Sequence, residues 1–243
     1  MKRYKDYARG NISMIDDSGL SACLKSIQSK GISTIIETGT FEGTGSTRTV
    51  GNLFAKASLK AFYTIEINYG SYRKAVRNLK DLPFVHCLYG CSVPMRDALK
   101  FIQEDEAIAH HEKYPDVYID DVEDPVGFYS KEIEGYLRRS TTDLRLIFRP
   151  RPQQDLLATL IRKLAGEKIL FILDSAGGIG WLEFTTVQKE MGNKEYYLLL
   201  DDTHHLKHFR SVEYIKADPG TYDVIGESQE HGWLLCFKKK PSH

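Results

Sequence analysis

Hydrophobic and polar positions along the chain alternate between a helical and an extended period. Leu20, Leu24 and Ile27 recur at helical spacing and predict a helix over 18–29, whereas the β-branched run at 32–39 predicts a buried strand. Further strands are predicted at 61–68, 84–90, 168–174, 195–202, 221–228 and 232–239. Further helices are predicted at 45–58, 72–80, 94–104, 153–165 and 181–191.

Strands that alternate with helices predict an α/β fold: a doubly wound, mainly parallel sheet with helices on both faces. The last two strands are separated only by residues 229–231. They must form an antiparallel hairpin, because a parallel pair needs a long crossover. In sheets of this kind, ligands bind outside the carboxyl ends of the strands. The residues that follow each strand are therefore the first candidates for a site.

The composition fits one ordinary globular domain over 1–243. The chain is 42% hydrophobic and 27% charged, with 33 basic and 33 acidic residues. This balance argues against general nucleic-acid or membrane-surface binding. Neither a transmembrane helix nor a signal peptide is predicted, since no run of 18 apolar residues exists and the N-terminus is charged. Four cysteines without a second close pair indicate a reducing, cytoplasmic setting.

A glycine-rich loop, ETGTFEGTGS, follows the first strand at 37–46. Gly39, Gly43 and Gly45 let the backbone adopt positive φ and approach a ligand, and the next helix begins with free N–H groups that suit an anion. A turn that serves packing alone is the alternative. The spacing is not the G-x-G-x-x-G of dinucleotide-binding loops, which argues against a pyrophosphate ligand.

Two more strand ends carry candidate ligand-binding residues. Glu66 ends the second strand, where a carboxylate can accept hydrogen bonds from both ribose hydroxyls of a nucleoside. A solvated acid at a strand end is the alternative. Residues 89–92 end the third strand, and Ser92 or the backbone there could border an adenine ring. A simple turn explains that segment nearly as well.

Three acids follow the fourth and fifth strands: Asp174, Asp201 and Asp202. Adjacent strand ends would bring them within a few ångströms, where uncompensated carboxylates repel one another. A hard divalent cation such as Mg²⁺ resolves that conflict, so the three acids are predicted metal ligands. The alternative is that some of them cap helices, with Asp202 as the N-cap of a helix over 203–209.

The segment THHLKHF at 203–209 offers several proton acceptors. His204, His205, Lys207 and His208 could each act as a base, and on a helix the first and last of them would share a face. Histidine is the usual side chain for proton transfer near neutral pH. We favour His205 or His204 as the catalytic base, and the sequence does not separate the two. Exposed polar helix positions are the alternative.

Residues 105–167 form a longer connection than the third and fourth strands need. A segment of this length over the carboxyl ends predicts a lid that contacts substrate. Its second half is basic, and its arginines could bind a substrate phosphate or carboxylate, pair with nearby acids or form a subunit contact. These arginines are Arg138, Arg139, Arg145, Arg149 and Arg151. For any one of them, a solvated surface position is the better interpretation.

The motifs ETGTFEGTGS, YTIEIN, ILFILDSAGG and YLLLDD together resemble those of class I S-adenosylmethionine-dependent methyltransferases. The resemblance covers 32–104 and 168–239. It is strongest toward small-molecule O-methyltransferases, including metal-dependent ones, and toward the cephalosporin-hydroxylase-like group. It implies a seven-stranded Rossmann-like sheet that ends in the antiparallel hairpin, with 105–167 inserted as a lid between strands 3 and 4.

The resemblance also implies roles for individual residues. The glycine loop would line the methionine part of S-adenosylmethionine, Glu66 would hold its ribose, and Cys91 and Ser92 would flank its adenine. Asp174 would lie near the cofactor's amino group and near the metal. The implied cofactor-binding set is Glu37, Gly39, Thr40, Gly43, Ser46, Glu66, Cys91, Ser92 and Asp174. The implied Mg²⁺ ligands are Asp174, Asp201 and Asp202.

One departure from the family pattern affects the base. Catechol-type enzymes place a lysine three residues after the first metal acid, where this chain has Gly177. The catalytic candidates are therefore His205, His204 and Asp174. We expect methyl transfer to a hydroxyl of a small molecule, of natural-product or sugar type, with a divalent metal assisting. The alternatives are a metal-dependent hydroxylase or oxidoreductase on the same fold, and a non-catalytic cofactor-binding protein. A homo-oligomer is left open.

Overall fold

The computed structural model describes residues 14–55, 57, 59–137 and 149–240. Its centre is a seven-stranded sheet. The strands are β1 Thr34–Thr38, β2 Ala61–Glu66, β3 Val85–Tyr89, β4 Ile169–Leu173, β5 Tyr196–Leu200, β6 Tyr222–Ser228 and β7 Trp233–Lys238. They lie side by side in the order β3-β2-β1-β4-β5-β7-β6. The predicted α/β class and all seven predicted strands are confirmed, each strand within a few residues of its expected bounds.

Strands β1 to β5 run parallel, and three of them end level with one another. Thr38 pairs with Leu173, and Leu173 pairs with Leu200. Because β1 lies between β2 and β4, the direction of strand order reverses at β1 and opens a crevice at the carboxyl ends. The residues directly after these strands, including Asp174 and Asp201, therefore share one edge of the sheet.

The C-terminal hairpin closes the other side of the sheet. β7 pairs antiparallel with both β5 and β6, so the second strand of the hairpin lies inside the sheet and the first forms its edge. The predicted antiparallel pair is confirmed. The turn that joins the two strands comes close to the residues after β5, since the amide of Thr203 donates to the carbonyl of Gly232 at 2.8 Å.

Helices cover both faces of the sheet. They are α1 Ser18–Gln28, α2 Ser46–Phe54, α3 Tyr69–Asn78, α4 Met95–Glu104, α5 Glu106–Ala109, α6 Pro125–Leu137, α7 Leu156–Lys163, α8 Gly180–Met191 and α9 Phe209–Ala217. β1, β4 and β5 are buried along their whole length because each packs against helices on two sides. One apolar cluster joins the sheet to α7 and α8, and a second joins it to α1 and α2.

The long connection between β3 and β4 contributes its own apolar cluster above the carboxyl ends of the strands. Helix α6 packs on α4, and Tyr129 of α6 is fully buried there with Ile102 and Leu206. The connection returns to the sheet edge beside β3, where Gly90 forms a parallel bridge with Gln153. The description of 105–167 as a substrate lid stays a prediction.

Two parts of the sequence-based description need correction. Residues 203–208 do not form a helix: the helix begins at Phe209, so Asp202 caps none and His204 and His208 do not share a helical face. A tight turn forms instead, in which the amide of His205 donates to the carbonyl of Asp202 at 2.8 Å. Helices α5, α6 and α9 were not predicted.

Some predictions fall outside the described residues, namely those on the charged N-terminus and on Arg138, Arg139 and Arg145. Within the described residues, no helix combines the length and the apolar character that a membrane crossing requires. The four cysteines, Cys23, Cys87, Cys91 and Cys236, all carry free thiols.

Candidate functional site

The glycine loop between β1 and α2 folds back against two neighbouring strands. Gly39 adopts φ +90° and Gly43 adopts φ +71°, both in the left-handed region that glycine tolerates. The amide of Gly39 donates to the carbonyl of Ile65 at 3.1 Å. A Cβ on Gly39 would lie 2.1 Å from the carbonyl oxygen of Asp174, so only glycine fits there.

Glu37 lies beneath the loop and holds it in place. Its carboxylate is fully buried and accepts hydrogen bonds from the hydroxyls of Ser46 (2.9 Å), Thr47 (2.6 Å) and Thr64 (2.6 Å). Burial raises the pKa of Glu37 to about 7, against the opposing effect of these three donors. Thr40 also bonds Thr64. These residues therefore support the loop from below.

A cavity of about 350 Å³ opens at the carboxyl ends of β1 to β4, at the crevice where strand order reverses. Its walls come from the glycine loop, the segments after β2, β3 and β4, and helices α4 and α6. The lining side chains and glycines include Gly39, Phe41, Glu66, Cys91, Ser92, Glu132, Tyr136, Asp174 and Ser175. The remaining lining is mainly apolar, which suits a ligand with a flat ring system.

Glu66 faces this cavity with both carboxylate oxygens fixed by backbone donors. The amide of Asn68 donates to Oε1 at 2.6 Å, and the amide of Phe41 donates to Oε2 at 2.7 Å. Burial raises its pKa above the ordinary value, although these amides act in the opposite direction. The amide of Ile67 also bonds this carboxylate, whose two oxygens offer about four acceptor positions, so it can still accept from a ligand hydroxyl. Phe41 presents its exposed ring at φ +51°, a strained conformation beside the mouth.

The cavity has a distinctive charge. Three carboxylates line it, Glu66, Glu132 and Asp174, and no lysine, arginine or histidine does so among the described residues. Glu132 comes from α6, and burial raises its pKa. The arrangement repels an anion and favours a ligand with positive charge near the walls. Sequence reasoning did not assign Glu132, because nothing in the chain pattern shows that α6 reaches the sheet.

A second buried acid, Glu183 of α8, ties the cavity walls together from below. Its Oε2 accepts from the hydroxyls of Thr38 (2.9 Å) and Ser175 (2.8 Å), and Ser92 also bonds this carboxylate. Glu183 is fully buried, and burial raises its pKa. The three hydroxyls come from the ends of β1, β4 and β3. Sequence reasoning missed Glu183, whose only signal is a lone acid in an otherwise apolar helix face.

The three acids predicted as metal ligands do come together. Oxygens of Asp174, Asp201 and Asp202 lie within 4.8 Å of one another. A fourth side chain lies among them: Lys207 Nζ is 2.7 Å from Asp202 Oδ2 and 3.4 Å from Asp174 Oδ1. The Lys207 side chain is only 5% exposed. The cluster therefore already contains one buried positive charge.

The charges in this cluster are strongly coupled. The Lys207 ammonium lowers the pKa of Asp202 to about 2, whereas burial raises the pKa of Asp174 to about 6 despite the same ammonium. Burial and the two neighbouring carboxylates raise the pKa of Asp201 well above its ordinary value. A carboxylate set of this kind has the right chemistry for Mg²⁺. With Lys207 bonded to two of the three acids, however, the set does not fit a divalent ion.

His205 has both ring nitrogens engaged. Its Nδ1 accepts from the amide of Lys207 at 3.1 Å, which leaves the proton of the neutral ring on Nε2. Nε2 lies 3.2 Å from Asp120 Oδ2, and the hydroxyl of Tyr129 donates to the same carboxylate oxygen at 2.8 Å. The ring has no free lone pair toward the cavity in this arrangement. A base role for His205 stays a prediction, and the geometry does not favour it.

The other two histidines of this segment also face away from the cavity. His204 Nε2 contacts the carbonyl of Gln229 in the hairpin turn. His208 is fully buried at the start of α9, and burial lowers its pKa well below the ordinary value. A Cβ on Gly180 would lie 2.8 Å from His208 Nε2, so the ring packs against the start of α8. Of the predicted catalytic candidates, only Asp174 lines the cavity.

The predicted cofactor-binding residues thus divide into two groups. Five of them line the cavity: Gly39, Glu66, Cys91, Ser92 and Asp174. The other four lie in or under the loop without reaching the lining: Glu37, Thr40, Gly43 and Ser46. Burial raises the pKa of the Cys91 thiol to about 11, so this wall residue is neutral.

Comparison with known proteins gives structural similarity only. No protein-family model matches the chain, and no curated protein matches it. An O-methyltransferase from Bacillus cereus in complex with SAH is 13% identical, with a TM-score of 0.47 over 97% of this chain and 88% of its own. The O-methyltransferase TomG from Streptomyces achromogenes, in complex with SAM, is 12% identical, with a TM-score of 0.49 over 97% and 86%.

An rRNA methylase from Streptococcus thermophilus is similar to a comparable degree. It is 10% identical, with a TM-score of 0.46 over 93% of this chain and 98% of its own. Similarities of this size concern the fold and not the activity.

Proposed function

We propose that this protein is an S-adenosylmethionine-dependent methyltransferase that acts on a hydroxyl group of a small molecule. The observation that carries the proposal is the acidic cavity at the crevice of the sheet. It combines a glycine loop, a strand-end carboxylate with spare acceptor capacity and an apolar wall. This combination suits a cationic nucleoside.

Charge is the first support for this cofactor. S-adenosylmethionine carries a positive sulfonium and a positive amino group beside one carboxylate, so its net charge is positive. Three acidic side chains line the cavity, Glu66, Glu132 and Asp174, and the last of them is also bonded to Lys207. A nicotinamide dinucleotide instead carries a doubly negative pyrophosphate, which would meet these acids with no basic side chain in the described lining to balance it. The charge pattern therefore favours the sulfonium cofactor.

Glu66 is the second support. The backbone amides of Asn68, Phe41 and Ile67 fix its carboxylate, which still has acceptor capacity for ribose hydroxyls. Hydrogen bonds to a charged acceptor are stronger than neutral ones, so a pair of ribose hydroxyls would gain appreciable binding energy. Beyond Glu66, the neutral Cys91 thiol and the apolar side chains offer a surface for the adenine ring.

The reaction mainly requires that the acceptor oxygen be aligned with the methyl carbon. The acceptor oxygen attacks the methyl carbon, the sulfur–carbon bond breaks, and S-adenosylhomocysteine leaves as a neutral thioether. The hydroxyl proton passes to a carboxylate, for which Asp174 is the candidate, since it lines the cavity and burial raises its pKa to about 6. Ile133 and Tyr136 of α6 cover the cavity and would exclude water.

A small acceptor fits the surroundings better than a nucleic acid. The chain has no net charge, and two further acids lie near the cavity walls: Asp120, whose charge acts on Glu132, and the 59% exposed Asp202, which Lys207 links to Asp174. Such a rim repels a phosphate backbone. A metal-dependent oxidation on the same fold receives no support from the histidines, because His205 already bonds Asp120 and the backbone.

The proposal is tested by comparing ligands of opposite charge. Calorimetric titration of the purified protein with S-adenosylmethionine and, separately, with NAD⁺ should give micromolar binding of the first and none of the second. Formation of S-adenosylhomocysteine should then be followed across a panel of phenols, sugars and amines. Binding of NAD⁺ with no binding of S-adenosylmethionine would refute the proposed cofactor.

A further inference from the structure

Lys207 lies where the three acids of the site converge. Its Nζ bonds Asp202 Oδ2 at 2.7 Å and Asp174 Oδ1 at 3.4 Å, at 5% side-chain exposure. Asp201 lies close enough for its oxygen to be within 4.8 Å of both partners. The positive charge that offsets the repulsion among the carboxylates thus comes from a side chain of the protein.

The segment that carries Lys207 is held on several sides. The Lys207 amide donates to His205 Nδ1, and the next amide upstream, that of Leu206, donates to the carbonyl of Tyr118 at 3.0 Å. A Cβ on Gly180 would lie 2.7 Å from the Lys207 carbonyl oxygen, so the start of α8 packs directly against this backbone. These contacts fix the point from which the lysine stem extends toward the acids.

We propose that Lys207 is the resident cation of this acid cluster, in the place that a divalent metal would otherwise take, and that the protein works without a metal ion. The inference deepens the proposed methyl transfer but concerns the acid cluster itself. Lys207 is a positioning residue: its ammonium holds Asp174 at the wall of the cavity and prevents the three carboxylates from repelling one another.

The proposal predicts how the cluster responds to metal. Wild-type protein should bind no Mn²⁺ at sub-millimolar concentration, as followed by the EPR signal of the free ion, and neither EDTA nor Mg²⁺ should change its Tm. Lys207→Met leaves the acids unpaired, so its Tm should fall by about 10 °C. That variant should gain one Mn²⁺ site, and millimolar Mg²⁺ should restore most of the lost Tm.

Lys60→Met is the matched control, because Lys60 pairs with Glu167 on the surface at 2.8 Å. It should gain no Mn²⁺ site and show no Mg²⁺ response. The double variant Lys207→Met/Asp202→Asn removes both members of the closest ion pair, so it should fold better than Lys207→Met and bind Mn²⁺ more weakly.

Stoichiometric Mn²⁺ binding by the wild type, lost in Asp201→Asn, would overturn the proposal, even if Lys207→Met failed to fold. A folded Lys207→Met that neither binds Mn²⁺ nor responds to Mg²⁺ would also overturn it. S-adenosylhomocysteine binding is titrated in the same samples. If only that binding is absent, the proposed function fails while the assignment of the cation stands.

Discussion

The carbonyl oxygen of Asp174 lies 2.1 Å from the position that a Cβ atom would occupy on Gly39. The turn after β1 and the turn after β4 therefore pack backbone against backbone, directly beside the cavity. No side chain can be inserted between them without separating the two strand ends. The contact couples the shape of the glycine loop to the placement of the acid cluster.

Replacing Gly39 with alanine should both destabilise the fold and weaken cofactor binding. The new methyl group forces the two turns apart, and the alanine backbone must also adopt φ +90°. We expect a loss of more than about 3 kcal/mol in the free energy of unfolding, measured by urea denaturation, with a parallel loss of S-adenosylhomocysteine affinity.

Gly31→Ala is the matched control, because Gly31 adopts φ +78° but has no atom within 4 Å of the position that the new methyl group would take. It should cost only about 1 kcal/mol, the strain of the backbone conformation alone. Equal losses for the two variants would show that the contact with Asp174 does not matter.

Glu37 should make stability depend on pH. Its pKa is about 7 in the folded protein because of burial, above its ordinary value of 4.5. Between these two pH values, Glu37 retains a proton in the folded state that it has lost in the unfolded state. The stabilisation by Glu37 is therefore fully present below pH 4.5 and is lost as the pH rises through 7. The loss amounts to about 3 kcal/mol, and Glu37→Gln should not show this loss.

The measurement is urea unfolding of wild type and Glu37→Gln from pH 4.5 to 8, with the difference in unfolding free energy plotted against pH. Glu167→Gln is the control: Lys60 and Ser33 lower the pKa of this surface carboxylate, so its contribution is lost only at more acidic pH. A flat difference for Glu37→Gln would mean that Glu37 is ionised in the folded protein throughout this range.

Glu183 should be required for a well-formed cavity although it does not line it. Glu183→Ala removes the acceptor shared by the hydroxyls of Thr38 and Ser175, and we expect a loss of about 3 kcal/mol in unfolding free energy together with weaker cofactor binding. Glu183→Gln keeps an acceptor oxygen and should lose less than half as much.

Glu190 lies on the same helix and pairs with Arg162 at the surface, at 2.6 Å. Glu190→Ala should therefore change the unfolding free energy by less than about 1 kcal/mol. A loss in Glu183→Ala no larger than in this control would contradict the role assigned to the buried acid.

The strand ends could be predicted from the sequence because they depend on local patterns. Short β-branched runs mark the strands, and parallel strands bring their carboxyl ends to one edge of the sheet. Gly39, Glu66 and Asp174 follow such runs directly, and all three line the cavity. Their roles toward a cofactor are still predictions, since position alone does not show what binds.

The parts that escaped prediction depend on contacts distant in sequence. The sequence makes Lys207 a candidate base. Only the structure shows that its ammonium is buried in ion pairs with Asp174 and Asp202. The prediction of a metal site assumed that the three acids have no positive side chain among them. In the structure, Lys207 lies between two of them. Helix α6 brings Glu132 into the cavity from an insertion whose own pattern carries no sign of that contact.

Binding of S-adenosylhomocysteine through Glu66 is the contact on which the proposed function depends most directly. Calorimetric titration should give a micromolar Kd for the wild type and a Kd between about 10- and 100-fold weaker for Glu66→Gln, since a charged acceptor of two hydrogen bonds is lost. Glu167→Gln, a carboxylate that pairs with Lys60 on the surface, should bind as the wild type does. An unchanged Kd in Glu66→Gln, or no binding by the wild type, would contradict the account.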